Sequence, residues 1–371
     1  MAPETEDHLH SKQPIAKDKL STDFSEFSIN DKPPKELIDQ STKLVHQSLL
    51  KEEPEFVRVK AFRDRQGDEH FKKQREISDA TTKKDETVFF FMMRQIAEEM
   101  HAAVSIFDVS IYPDDEMKVL DLCMAPGGYS AAVLKHHKKA RVFGITLPES
   151  LGGHEVVLDK SKLAGLQKID ITMLVGEFSN QPVPANHPER SNFLMVRPFR
   201  HHSFHLIFCD GIILRSHERA NQRKVVEAFR LRFSQLILAL HRISEGGTIV
   251  MLLHKVDQWS SMLILYQFSK FSSTELFKPI KKHGARSSFY MVAKNVNPKH
   301  PAAQEALQSW RDGWWTSTFG GEDGLGEEIE YPEVFVNEVI EEFGKTLALL
   351  GGPIWKIQAD ALSKTDYAGE E

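Results

Sequence analysis

Val119-Leu120-Asp121-Leu122-Cys123-Met124-Ala125-Pro126-Gly127-Gly128-Tyr129 is the stretch on which the fold turns. Its first half, Val119–Met124, is a short apolar run and reads as a buried strand. A Pro-Gly-Gly turn follows, and residues 129–138 read as a helix. The last turn of that helix carries Lys135, His136, His137 and Lys138, which suit the negative end of the helix dipole. Paired glycines between a strand and a helix let main chain approach a ligand, and the helix start offers free N–H donors. An ordinary tight turn would use the same residues. The strand before, the helix after and the acid at Asp121 favour a ligand loop. The turn is neither GxGxxG nor GxxxxGK[ST], so the dinucleotide fingerprint and the P-loop are both absent.

Working outward, short apolar strands alternate with helices. Val142–Ile145, Ile171–Val175 and Phe204–Cys209 read as strands. A long helix then carries Val226, Phe229, Phe233, Leu236, Leu240 and Ile243 on one stripe. Glu245-Gly246-Gly247 is expected to stop it, and Thr248–Leu253 is the fifth strand. Alternation of this kind predicts a mainly parallel sheet covered on both faces. Strands near 273–277 and 288–294 are joined by too few residues for a helical crossover, so they are placed antiparallel.

Upstream, residues 35–114 are expected to be a largely helical extension, with Val88–Met93, Ile96, Met100, Ala103 and Val104 on a buried face. Residues 1–34 are polar and end in Lys32-Pro33-Pro34, which reads as a disordered tail. The domain proper is expected at 115–297. Residues 298–371 form a second helical extension, with Trp310, Trp314 and Trp315 on its first helix, a break at Gly320-Gly321 and another helix near 333–350.

Asp121–Tyr129 resembles the first motif of FtsJ-type (RrmJ-like) S-adenosylmethionine-dependent RNA ribose methyltransferases. Phe204–Asp210 is similar to the strand that ends in their catalytic Asp, and Gly246–Val250 to the strand that carries a catalytic Lys. Lys278-Pro279 through Arg286-Ser287-Ser288-Phe289-Tyr290 is similar to their closing segment. The resemblance covers roughly residues 115–295. It implies an α/β, Rossmann-like methyltransferase sheet, mainly parallel with the last strand antiparallel, and S-adenosylmethionine as cofactor. It further implies that Ala125, Pro126, Gly127, Gly128 and Tyr129 surround the methionine part of the cofactor, with Asp121 counted in the same loop. Glu177 takes the position of the acid after the third strand, which would accept a hydrogen bond from adenine. Thr146 stands where the usual ribose-binding acid is missing.

Methyl transfer to a hydroxyl needs donor and acceptor aligned and help for the departing proton. The FtsJ family is known for a Lys-Asp-Lys-Glu set. Asp210 matches its Asp. Leu252 falls on the second Lys, with Lys255 three residues later at the strand end, and Ser288 falls on the Glu. No Lys matches the first member, and Arg94 is the nearest basic residue. Asp210 and Lys255 are therefore the expected catalytic pair. Lys278, Lys281, Lys282, His283 and Arg286 crowd one loop, and Arg197, Arg200, His201 and His202 precede the Asp210 strand. Both groups could frame RNA as an anionic acceptor, or be solvated loop charges. The three tryptophans could stack on bases or pack in the core.

A net charge of −6 over 371 residues argues against global coating of nucleic acid and leaves a local basic groove open. With 41% hydrophobic and 27% charged residues the chain can bury a substantial core. Cys123 and Cys209 cannot build a disulfide scaffold or a four-cysteine zinc site, so no metal is expected. The N-terminus lacks a signal-like apolar segment and no run is long enough to span a membrane, so an intracellular, soluble protein is expected. A methyltransferase for a small molecule, or an inactive binding protein that retains the fold, remains the alternative to an RNA methyltransferase.

Overall fold

The structure is a computed structural model and describes residues 39–65, 83–109, 116–213 and 219–365. The expected tail at 1–34 lies outside the described residues. Seven strands form one sheet in the order β3-β2-β1-β4-β5-β7-β6. They are β1 (Lys118–Leu122), β2 (Arg141–Thr146), β3 (Leu163–Lys168), β4 (Phe204–Cys209), β5 (Ile243–His254), β6 (Ser273–Phe277) and β7 (Ser288–Val296). β1 pairs in parallel with both β2 and β4, and β4 pairs in parallel with β5. β7 lies between β5 and β6 and is antiparallel to both. The strand order reverses between β1 and β4, which opens a crevice at their carboxyl ends.

Apolar residues at alternate strand positions feed two layers. Val119, Val142, Leu206, Phe208, Val250 and Val292 pack under α3 (Lys83–Val104) and α4 (Gly128–His136). Leu120, Leu122, Ile145, Ile207, Cys209 and Met251 belong to the opposite layer. That layer holds α6 (Arg223–Arg242), α7 (Trp259–Ser269) and α9 (Pro301–Phe319). On α3, Met93, Ile96 and Met100 are buried as expected and Ala97 is buried with them, whereas Ala103 is exposed. Trp310 and Trp314 are fully buried, so they are core residues and unavailable for stacking on bases.

Three expectations are corrected. Ile171–Val175 is not a strand: Ile171–Met173 is a 3-10 turn and Val175–Phe178 a short helix, α5. Their apolar side chains are buried. The third strand is the less apolar Leu163–Lys168 at the sheet edge, where one partner strand suffices. Gly165 makes room there, because a Cβ would sit 2.9 Å from the Phe143 ring. Glu245-Gly246-Gly247 does not separate helix from strand. α6 ends at Arg242, and β5 begins at Ile243 and absorbs these residues as a break in register against β4. The final helix is longer than expected, α10 running from Glu333 to Leu362.

The two extensions meet. α1 (Gln40–Glu52) and α2 (Pro54–Arg65) pack with α10, Phe56 lying 5.3 Å from the ring of Trp355. Asp257, in the turn between β5 and α7, holds this seam to the sheet. It accepts hydrogen bonds from Arg63 at 2.9 Å and from the Trp355 indole at 3.3 Å, and pairs with His46 at 3.0 Å. Gln358 of α10 continues the seam by donating to the carbonyl of Ala285 and to Ser287 Oγ, both at 3.2 Å, in the β6–β7 loop.

Candidate active site

The β1–α4 turn is fixed by local hydrogen bonds. Met124 N–H donates to the Ile145 carbonyl at 2.9 Å, and the Pro126 carbonyl accepts from Val157 N–H at 3.0 Å. Asp121 points from β1 toward α4, is fully buried, and accepts from Ser130 Oγ at 2.6 Å. Burial pushes its carboxyl up to about 7, against the pull of the Ser130 bonds. Asp121 does not border the crevice and acts as a clamp on the turn.

The two glycines also differ from expectation. Gly127 has φ +96°, and a Cβ there would stand 3.0 Å from Leu158 Cβ. A Cβ on Gly128 would meet Met93 Cβ and the Phe90 carbonyl oxygen, each at 2.5 Å. They are small so that the turn can pack against α3 and the β2–β3 loop, and neither borders the crevice. Ala125, Pro126 and Tyr129 of the same turn do border it.

That crevice is a cavity of about 250 Å³ at the carboxyl ends of β1 to β5. Phe89, Met92, Met93 and Ile96 of α3 give it an apolar wall. Thr146 lies at the end of β2, and Asp170 and Thr172 follow β3. Asp170 is the acid at this strand end, the place expected for Glu177. Arg223 donates to it at 3.0 Å, and Thr172 Oγ1 donates to it at 2.7 Å. Burial alone would raise the Asp170 carboxyl, but Arg223 and Thr172 hold it below its usual range. Glu177 lies away from the cavity, because the strand meant to present it is a buried helical turn. Its carboxylate accepts from Arg242 at 2.6 Å and pairs with His241 at 2.5 Å. These partners outweigh burial and keep it ionised.

Asp210 closes the far side of the cavity, directly after β4. The hydroxyls of Tyr129 and Tyr290 are hydrogen-bonded to each other at 2.5 Å and lie beside its carboxyl. Oδ1 of Asp210 is buried with no hydrogen-bond partner. Burial, then the charge of Asp121, pushes this carboxyl well above its ordinary value. Tyr129 stacks on Phe208 of β4 at 5.2 Å, so the sheet fixes the group that holds Asp210.

Lys255 is not its partner. It has φ +51°, which turns the chain out of β5, and it is exposed and outside the cavity. Leu252 and His254 border the cavity instead, and burial, then the nearby Lys255 charge, pulls His254 down to about 3. Arg94 is likewise outside the lining, whereas Ser288 is within it. Of the basic loop, Lys281 and Lys282 are exposed, but Lys278 and Arg286 are buried. Lys278 is a staple of its own loop: Nζ donates to the carbonyls of Ser288, at 2.9 Å, and Arg286. The Arg197–His202 group enters β4 at its amino end, opposite the crevice, and does not frame it.

A sequence profile described as FtsJ-like methyltransferase matches residues 97–296, more than half of the chain. The chain belongs to the FtsJ-like methyltransferase family. No curated protein sequence matches it. Similar solved structures include TrmN from Thermus thermophilus, at 12% identity over 55% of this chain and 49% of that one, with a TM-score of 0.31. An rRNA methylase from Streptococcus thermophilus is 13% identical over 56% and 95%, with a TM-score of 0.29. The N-methyltransferase NodS from Bradyrhizobium japonicum is 12% identical over 57% and 99%, with a TM-score of 0.33. The chain thus spans about half the length of TrmN.

Asp170 and His254 border the cavity without being expected there from sequence. Only Asp170 left a usable signal, an acid that follows a polar strand. Among the described residues, no helix is long and apolar enough to cross a membrane, and no cluster of side chains is suited to a metal.

Proposed function

We propose that this family member binds S-adenosylmethionine in the crevice and methylates a hydroxyl, the ribose hydroxyl of an RNA nucleotide being the acceptor. The observation that carries this is Asp210, which borders a cavity at the strand-order reversal and has a buried Oδ1 without a hydrogen-bond partner. The residues fit the cofactor. Apolar walls from α3 and Ile169 and Ile171 suit an adenine ring, with Thr146 and Asp170 as nearby polar points and Pro126 and Tyr129 beside the methionine part. The cofactor supplies an electrophilic methyl group on a cationic sulfur.

With the cofactor bound, its methyl group would pass to the acceptor oxygen, and Asp210 Oδ1 would take the hydroxyl proton. A carboxyl raised by burial is a stronger base than an exposed one. Tyr129 and Tyr290, whose phenols burial keeps protonated, steady the ionised form. Because the Asp210 carboxyl is raised, transfer should increase with pH over a range above that of an ordinary carboxylate. Calorimetry with S-adenosylhomocysteine and radiolabelled methyl transfer to total RNA test the reading. Binding and transfer support it, and an Asp210→Ala variant with unchanged activity refutes the mechanism.

Leu252 and Ser288, at two positions charged in the family's set, favour a second reading: a chain that binds the cofactor without transferring its methyl group. Cofactor binding with no transfer to RNA or to a metabolite extract supports that reading.

A further inference from the structure

The proposed methyl transfer leaves unused a group of buried polar side chains at the end of α8 (Ile280–His283) and the start of β7. His283 is 5% exposed and Ser288 4%, and both border the cavity. Both ring nitrogens of His283 and the Oγ of Ser288 lack hydrogen-bond partners. Interior polar atoms are nearly always paired, so three orphans in two residues that border one cavity call for a ligand atom. Lys278, whose Nζ donates to the Ser288 carbonyl, and Arg286 are near, their charges bearing on the imidazole. Burial and these two cations keep His283 neutral, with one ring nitrogen donating and the other accepting.

The location narrows the ligand. Ser288 pairs with His254 at the end of β5. The strand ends assigned to the cofactor, β1 to β3, lie on the other side of β4. A group reaching Ser288 therefore enters with the acceptor. An apolar acceptor would leave the orphans unpaired, and a cationic one would be repelled by Lys278 and Arg286. A phosphate has several acceptor oxygens, enough for the Ser288 hydroxyl and the His283 N–H together, and its charge suits the two cations.

We propose that His283 and Ser288 form an oxyanion subsite at the acceptor end of the crevice, taking a phosphate group of a nucleotide acceptor. This rests on the methyltransferase reading, which supplies the direction of the cofactor. The carboxylate of the cofactor is the other source of an oxyanion, and competition separates the two.

The test is calorimetry on the full chain with inorganic phosphate and with a pentaribonucleotide, each with and without saturating S-adenosylhomocysteine. The expected result is saturable binding of both probes that persists when S-adenosylhomocysteine is bound. Ser288→Ala and His283→Ala should each weaken both by about tenfold or more and leave S-adenosylhomocysteine affinity unchanged. Ser288→Ala removes a single oxygen, so it keeps the test informative if His283→Ala misfolds. Absent phosphate binding, or equal affinity in the Ser288→Ala variant, overturns the subsite. Competition between phosphate and S-adenosylhomocysteine would reassign it to the cofactor and overturn it too. Phosphate binding that responds to the substitutions, without any S-adenosylhomocysteine binding, would instead remove the methyltransferase reading and leave the subsite.

Discussion

Asp210 and Asp257 are carboxyls in the turns that leave two adjacent parallel strands, and their surroundings drive them in opposite directions. Asp257 at the seam has Arg63, His46 and Trp355 around it; burial alone would raise its carboxyl, but Arg63 and His46 hold it far below the ordinary range. Asp210 in the crevice is buried too, but it has only two phenols and a neighbouring acid, and it is pushed up. The seam completes its hydrogen bonds internally and serves the fold. The crevice keeps an orphan oxygen and a reserve of basicity, the pattern expected where a ligand must finish the site.

The contrast is best broken at Asp210. Asp210→Asn keeps the shape and removes the base, so methyl transfer should fall by about 10²–10⁴-fold with S-adenosylhomocysteine affinity retained. Radiolabel transfer and calorimetry on one preparation check both halves. At the seam the effect should appear in stability. Asp257→Ala strands Arg63 and should cost about 3–5 kcal/mol, read by denaturant unfolding at neutral pH. Because folding depresses the Asp257 pKa, its contribution is complete above the ordinary carboxylate value of about 4. It fades as pH falls toward the folded value, so wild type and variant should converge in acid. A gap that widens in acid would contradict this assignment.

Smaller effects sharpen the same division. Gly128→Ala drives a methyl group into Met93 and the Phe90 carbonyl. A loss of about 1–3 kcal/mol is expected in thermal unfolding, because the glycine serves packing. Lys255→Met should change stability by no more than about 0.5 kcal/mol and leave the transfer rate alone. A large rate loss there would restore Lys255 to the site.

The sheet was legible because apolar strands alternate with helices and because a ten-residue link forces the last pair to be antiparallel. β3 was not: an edge strand needs little apolar surface, and the greasier Ile171–Val175 imitated it. That one misplacement moved the acid from Asp170 to Glu177. Asp210 was legible from its strand end and its motif. Lys255 was misjudged because strand-end position does not reveal a positive φ. Lys278 and Arg286 read as surface charge, since composition cannot show that α10 closes over their loop through Gln358. The orphaned atoms of His283 and Ser288 are visible only in three dimensions.

A crystal structure of the full chain with S-adenosylhomocysteine tests the central claim most directly. The account predicts the adenine between the α3 wall and Asp170, and the sulfur beside Tyr129 and Asp210. A ligand bound elsewhere, or a crevice that stays closed at saturating concentration, would contradict it.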